Sequence, residues 1–184
     1  MQNKSALRTS LMTARNAIVN DQRRLLDNKI ATKILAWWEM HQFRSLGVYW
    51  PMRGEPDLHA LYATLQAQGT QLALPVVTGS EQPLQFVTWT PGEAVNQDRF
   101  GACIPAAKNA TIKPDALLIP CLGFTRNGYR LGYGGGFYDR TLAVKPRPYS
   151  LGIGYTNGET EFAPDTYDIV LDRIITDTLD FTCQ

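Results

Sequence analysis

Residues 130–140 read RLGYGGGFYDR, and the way these positions are taken decides the fold. Gly132, Gly134, Gly135 and Gly136 carry no side chain, and Arg130 and Arg140 put a permanent cation at each end. Successive glycines forgo packing and give up backbone entropy on folding, so a folded chain keeps them for a reason. They make either a flexible hairpin tip or a loop whose amide N–H groups converge on an anion that a Cβ would hold off. Phe137, Tyr138, Asp139 and Arg140 follow without a break as the start of a helix, and Arg130 charges the entrance. Both features favour the anion-binding loop.

Working outward, residues 116–122 form an apolar run suited to a central parallel strand, which delivers the chain to the glycine loop at its carboxyl end. Ligands of open α/β sheets collect at that edge. A helix is predicted over 137–144 and the last strands over 149–155 and 169–175. Upstream, the 45–50 stretch (SLGVYW) is a buried strand stopped by Pro51, and Asp57 is placed to cap a helix that ends at Gly69. Strands over 71–77 and 84–89 follow, then an irregular excursion over 90–114. Two helices precede all of this, over 3–18 and from a cap at Asp21 to about residue 40, the second with a core stripe of Leu26, Ile30 and Ile34. The strand–helix rhythm predicts an α/β fold with a mostly parallel sheet. No internal repeat or linker divides residues 1–184, so one domain is expected.

Composition narrows the function. Formal net charge is +1 with no dense Lys/Arg run, which argues against a nucleic-acid or membrane-surface partner. Cys103, Cys121 and Cys183 are widely spaced, with no CxxC pair, so a disulfide framework or a zinc site is not expected. The first residues lack an apolar signal core, which predicts a cytoplasmic protein. The glycine loop is neither GxxxxGK nor GxGxxG, no GxSxG elbow exists, and His41 and His59 both fall in helical patterns. Chemistry here would run on positioning and phosphate electrostatics. Lys4 and Arg8, four apart, share a helix face that is either solvated or aimed at an anion. Asp139 either carries the magnesium that accompanies nucleotide phosphates or sits in a helix's first turn.

Taken together, these residues resemble the 5-formyltetrahydrofolate cyclo-ligase (methenyltetrahydrofolate synthetase) family over nearly the whole chain. RLGYGGGFYD resembles the family's RLGxGxGYYD, with Phe137 for its first Tyr, and the lead-in KPDALLIPCLGFTRNGYRLGYGGG is similar as well. Lys4 and Arg8 match an N-terminal KxxxR, VYWPMRGEPD the strand with an acidic loop, and YDIVLDRIIT an HD-x3-D segment with Tyr167 for His. Thr125 and Gly158 stand where the family often has an acid and a Gln.

The resemblance implies a three-layer α/β/α sandwich and closure of 5-formyltetrahydrofolate to 5,10-methenyltetrahydrofolate with ATP, through a phosphorylated imidate. It implies that Lys4, Arg8, Arg130, Leu131, Gly132, Tyr133, Gly134, Gly135, Gly136, Phe137, Tyr138 and Arg147 hold ATP. Trp50 and Glu55 would meet the folate, with Tyr133, Gly134, Gly135, Gly136 and Phe137 touching both substrates. Asp139 and Asp168 would be the Mg2+ carboxylates, and Lys4, Arg130 and Tyr138 the groups nearest the chemistry. The expected partners are these small molecules, with no nucleic acid or membrane, and the protein a monomer. Two alternatives stay open: a folate binder without turnover, and an ATP-dependent protein acting on RNA.

Overall fold

A computed structural model describes residues 3–98, 101–107 and 109–183. In chain order the elements are α1 (Lys4–Asn16), α2 (Asn20–Glu39), β1 (Ser45–Gly47), α3 (His59–Ala67), β2 (Gln71–Val76), β3 (Gln85–Thr88), β4 (Val95–Gln97) and β5 (Cys103–Pro105). There follow β6 (Thr111–Ile112), β7 (Ala116–Pro120), β8 (Gly123–Phe124), β9 (Arg130–Leu131), α4 (Phe137–Ala143), β10 (Tyr149–Ile153), β11 (Arg173–Ile175) and β12 (Asp180–Thr182). Eight strands join one sheet in the order β12-β11-β10-β7-β1-β2-β3-β6. From β11 to β2 every neighbour is parallel, and antiparallel strands flank that core on both sides.

The expected apolar run is the middle of this sheet. β7 pairs with β10 along its whole length, from Ala116 opposite Tyr149 to Pro120 opposite Ile153. Because side chains alternate along a strand, its two faces feed two separate cores. Ala116 and Leu118 pack with Ile30, Ile34 and Trp37 of α2 and with Leu61 and Leu65 of α3. Leu117 and Ile119 pack on the other face with Leu142 of α4, Phe124 and Ile174. The result is the expected three-layer α/β/α arrangement with a mostly parallel sheet. Each fully buried Leu in these layers contributes about 1.5–3 kcal/mol from removal of apolar surface from water. Among the described residues, no helix is long and apolar enough to cross a membrane.

Local chemistry shifts several boundaries. Asn3 caps α1, its Oδ1 accepting from the Ser5 amide at 2.9 Å. Asp21 does not cap α2: Val19 holds the cap position without a side-chain bond, and Asp21 stands in the first turn, where the helix dipole favours an acid. Nor does Asp57 hold the cap of α3: Leu58 stands there without a side-chain bond, and Asp57, one residue earlier, accepts from the His59 amide at 3.0 Å. The 90–114 excursion holds a β4–β5 hairpin and the edge strand β6, all of two or three residues. Only Arg173–Ile175 of the predicted final strand pairs in the sheet; ahead of it, the Leu171 amide bonds to the Gly128 carbonyl instead.

Candidate active site

The carboxyl ends of β1, β2 and β7 open into a cavity of about 650 Å³, a size suited to small-molecule substrates. The glycine loop forms one wall and the Lys4–Arg8 face of α1 another. The acidic loop after β1, with Trp50 and Glu55, closes a third side.

One end of the cavity is cationic and rich in bare amides. Gly134 and Gly136 have φ of 93° and 65°, a left-handed backbone that a Cβ would strain. Among the described residues, the amides of Gly134, Gly135 and Gly136 meet no acceptor. Two carbonyls of the same loop are occupied: Gly132 accepts from Arg8 Nε at 2.8 Å, and Gly135 from Arg140 Nη2 at 2.7 Å. Unbonded donors therefore stand among the cavity-lining residues beside Arg8 and Arg130, a set that suits an anion. Arg130 pairs with Asp139 at 3.0 Å and lies over the Tyr138 ring. Burial pushes the Tyr138 phenol well above its ordinary pKa, so it is a hydrogen-bond donor here rather than a base.

Lys4 Nζ lies 2.7 Å from both Asp165 and Asp168. Desolvation works against its ammonium, but hydrogen bonds to the two carboxylates outweigh that and hold the pKa above its ordinary value. Asp139 Oδ1 accepts from the Ile169 amide at 3.4 Å, which sets Asp139 beside the Asp168 segment. For a magnesium ion these carboxylates are hard oxygen donors of the right kind. Each already has an oxygen committed to a cation, and no group of three or more metal-binding side chains stands among the described residues. The donor set fits an ion carried largely by phosphates and water, not one caged by protein.

At the other end stands Glu55, only 4% exposed. Oε2 accepts from the Met52 amide at 3.0 Å and Oε1 from the Tyr133 hydroxyl at 2.8 Å. Burial raises its pKa, while those two hydrogen bonds pull the other way. The tight turn before it sets Arg53 at φ 51° and Gly54 at φ 74°. From α2, Arg23 binds the Gly54 carbonyl and, at 3.1 Å, the Arg15 and Ile18 carbonyls. Trp50 stands edge-on to His59 and Trp89, with centroids 4.5 and 5.7 Å away, which fixes an aromatic wall beside Glu55. The arrangement offers a carboxylate and a flat ring to a planar heterocycle with N–H donors.

Tyr133 joins the two ends: its backbone lies in the glycine loop and its hydroxyl reaches Glu55. Every residue predicted from the sequence for nucleotide, folate or metal lines this cavity, except Arg147. Arg147 precedes β10 at the amino edge of the sheet, where its guanidinium binds Asp172 and the Val170 carbonyl. It forms an ion pair there, apart from the residues that line the cavity. Gly158 is structural, since a Cβ there would lie 2.9 Å from the Leu122 carbonyl oxygen. Thr125 is buried in a turn, accepting from the Tyr129 amide at 3.2 Å. Cavity residues that sequence reasoning did not single out include Arg53, Ser80, Cys103 and Asp165. Asp165 was legible as an acid three residues from Asp168; Ser80, in a loop, and Cys103, at the start of β5, reach the cavity only through the folded course of the chain.

Residues 1–177 match the model of the 5-formyltetrahydrofolate cyclo-ligase family. A 5-formyltetrahydrofolate cyclo-ligase of Haemophilus influenzae is 30% identical over 77% of this chain and 78% of its own. One from Mycoplasma pneumoniae is 28% identical over 95% and 98%. Among solved structures, the 5,10-methenyltetrahydrofolate synthetase of Mycoplasma pneumoniae superimposes with a TM-score of 0.80 at 26% identity, covering 96% of this chain and 99% of that one. The NMR structure of the Aquifex aeolicus 5,10-methenyltetrahydrofolate synthetase gives 0.83 at 27% identity, over 97% and 92%.

Proposed function

Since the chain belongs to the 5-formyltetrahydrofolate cyclo-ligase family, we propose that it closes 5-formyltetrahydrofolate to 5,10-methenyltetrahydrofolate, driven by conversion of ATP to ADP and phosphate. The observation that carries the assignment is Tyr133. It places an anion-ready loop and a buried carboxylate in one cavity, as a reaction between a triphosphate and a heterocycle demands.

The amides of Gly134, Gly135 and Gly136 take the phosphate oxygens, and Arg8 and Arg130 balance their charge. Glu55 accepts the pterin N–H donors against the Trp50 wall, which aims the formyl group at the loop. The formyl oxygen attacks the γ-phosphorus as ADP departs, giving the phosphorylated imidate. N10 then bonds to the activated carbon and loses its proton, and phosphate leaves with the former formyl oxygen. No protein nucleophile is needed; alignment at near-contact distance supplies much of the acceleration. Tyr138, held protonated, donates toward the oxygens that gain charge, and Lys4 sets Asp168 in place. Magnesium, when bound, would be held by Asp139 and Asp168 and would offset charge on the β- and γ-phosphates. We take the protein to be a cytoplasmic monomer.

Mixing the purified protein with MgATP and 5-formyltetrahydrofolate tests the assignment. Methenyl absorbance should rise with one ADP released per product. ADP without methenyl product, or retention of folate without either, would contradict it.

A further inference from the structure

One buried cation beside the cavity has no part in that scheme. Arg15 of α1 is 4% exposed, and its Nε and Nη1 meet no acceptor among the described residues. Its Nη2 contacts the Met12 sulfur at 3.6 Å and donates to the hydroxyl of Tyr133. A guanidinium taken so far out of water is costly unless its charge is answered nearby. The answering charge is Glu55, reached through Tyr133.

The direction of these bonds follows from counting hydrogens. Arginine only donates and an ionised carboxylate only accepts, whereas a phenol has one hydrogen to give. With Arg15 occupying a lone pair of the Tyr133 oxygen, the single phenolic hydrogen is committed to Glu55 Oε1. Each carboxylate oxygen accepts one bond here and has room for a second, so both keep a lone pair for a pterin. Without Arg15 the hydroxyl is free to turn away. Helix geometry explains why this residue is available. At about 100° and 1.5 Å per residue, positions 4, 8 and 15 fall on one face within about 40° of each other and span about 16 Å. One helix therefore presents Lys4 and Arg8 to the phosphate end and Arg15 to the carboxylate end.

We propose that Arg15 is a positioning residue for the folate subsite, acting through the Tyr133 hydroxyl to hold Glu55 in its pterin-accepting orientation. This rests on the proposed cyclo-ligase activity.

Steady-state kinetics of Arg15→Met, Arg15→Lys, Tyr133→Phe and the Arg15→Met/Tyr133→Phe double variant test it. Arg15→Met should raise KM for 5-formyltetrahydrofolate about tenfold, the scale of one hydrogen bond to a charged group, and leave KM for ATP within about twofold. Arg15→Lys, which restores one donor, should recover most of that loss. In the Tyr133→Phe background the Arg15 change should add less than about twofold, because the link is already cut. Equal rises in both KM values, or full multiplication of the two single effects, would overturn the proposal. Should Arg15→Met fail to fold, Tyr133→Phe decides alone: a folate KM equal to that of the unaltered protein would overturn it. Absence of turnover in the unaltered protein would sink the cyclo-ligase assignment itself. Turnover with an unmoved folate KM in Arg15→Met sinks only the role of Arg15.

Discussion

Arg130 and Asp139 face each other at 3.0 Å across the turn that joins β9 to α4, and both line the cavity. The guanidinium is thus held by the carboxylate assigned to the metal, and each residue orients the other. Arg130→Ala and Asp139→Ala should each lower turnover at least about a hundredfold, the scale of one lost transition-state contact. Residues acting as a unit are not additive, so the double variant should be within about fivefold of the worse single one. Rate measurements on all three check this; full multiplication of the losses would show that the pair acts as two separate groups.

Lys4 bridges two acids that differ in setting. The Asp165 side chain is 73% exposed, while that of Asp168 is 21% exposed and also accepts from the Asp165 amide at 2.8 Å. An exposed ion pair contributes about 0–1 kcal/mol. Asp165→Asn should therefore change kcat/KM for ATP by less than about threefold, and Asp168→Asn should lower it at least about tenfold. Similar effects from the two would contradict the separate role given to Asp168.

The pH dependence of folate capture should report Glu55. Burial raises its pKa against the pull of the Met52 amide and the Tyr133 hydroxyl, so its inflection lies above the ordinary glutamate value of about 4.3. In the proposed role Glu55 receives the pterin as a carboxylate, so kcat/KM for folate should fall as pH drops through that raised value. Glu55→Gln should remove the acid limb while lowering the plateau. The stability effect has the opposite sense. The fold favours the protonated form, so this contribution is complete below the unfolded pKa and is lost as pH rises to the folded one. An unchanged acid limb in Glu55→Gln would exclude Glu55 as its source.

Gly158 tests packing apart from chemistry. A Cβ would meet the Leu122 carbonyl oxygen at 2.9 Å, a backbone atom with little room to yield. Gly158→Ala should destabilise by about 1–3 kcal/mol, the range for overpacking, and lower Tm by several degrees. Its folate KM should stay within about twofold, since Gly158 does not line the cavity. A large rise in KM with normal Tm would place a ligand there.

Much of this architecture was legible in the residues. The apolar run that became β7 and the glycines that follow it located the sheet's centre and its carboxyl-edge site, because burial on both faces and left-handed φ each restrict residue type. The spacing of Lys4 and Arg8 gave their shared face, and Arg15 lay at a spacing that extends it. What stayed hidden depended on distant partners. The strands β4, β5 and β6 are too short for periodicity to register. Arg147 matched a basic position, and only the fold brings it together with Asp172, its ion-pair partner. Likewise, no local pattern tells that the hydroxyl of Tyr133 would meet a glutamate far upstream.

The central claim is that bare amides of the glycine loop grip the triphosphate. Amide chemical shifts of the labelled protein, titrated with a non-hydrolysable ATP analogue and magnesium, test it most directly. The Gly134, Gly135 and Gly136 amides should show the largest downfield shifts as their hydrogens find phosphate oxygens. Saturable binding that leaves those three in place while amides elsewhere move would contradict it.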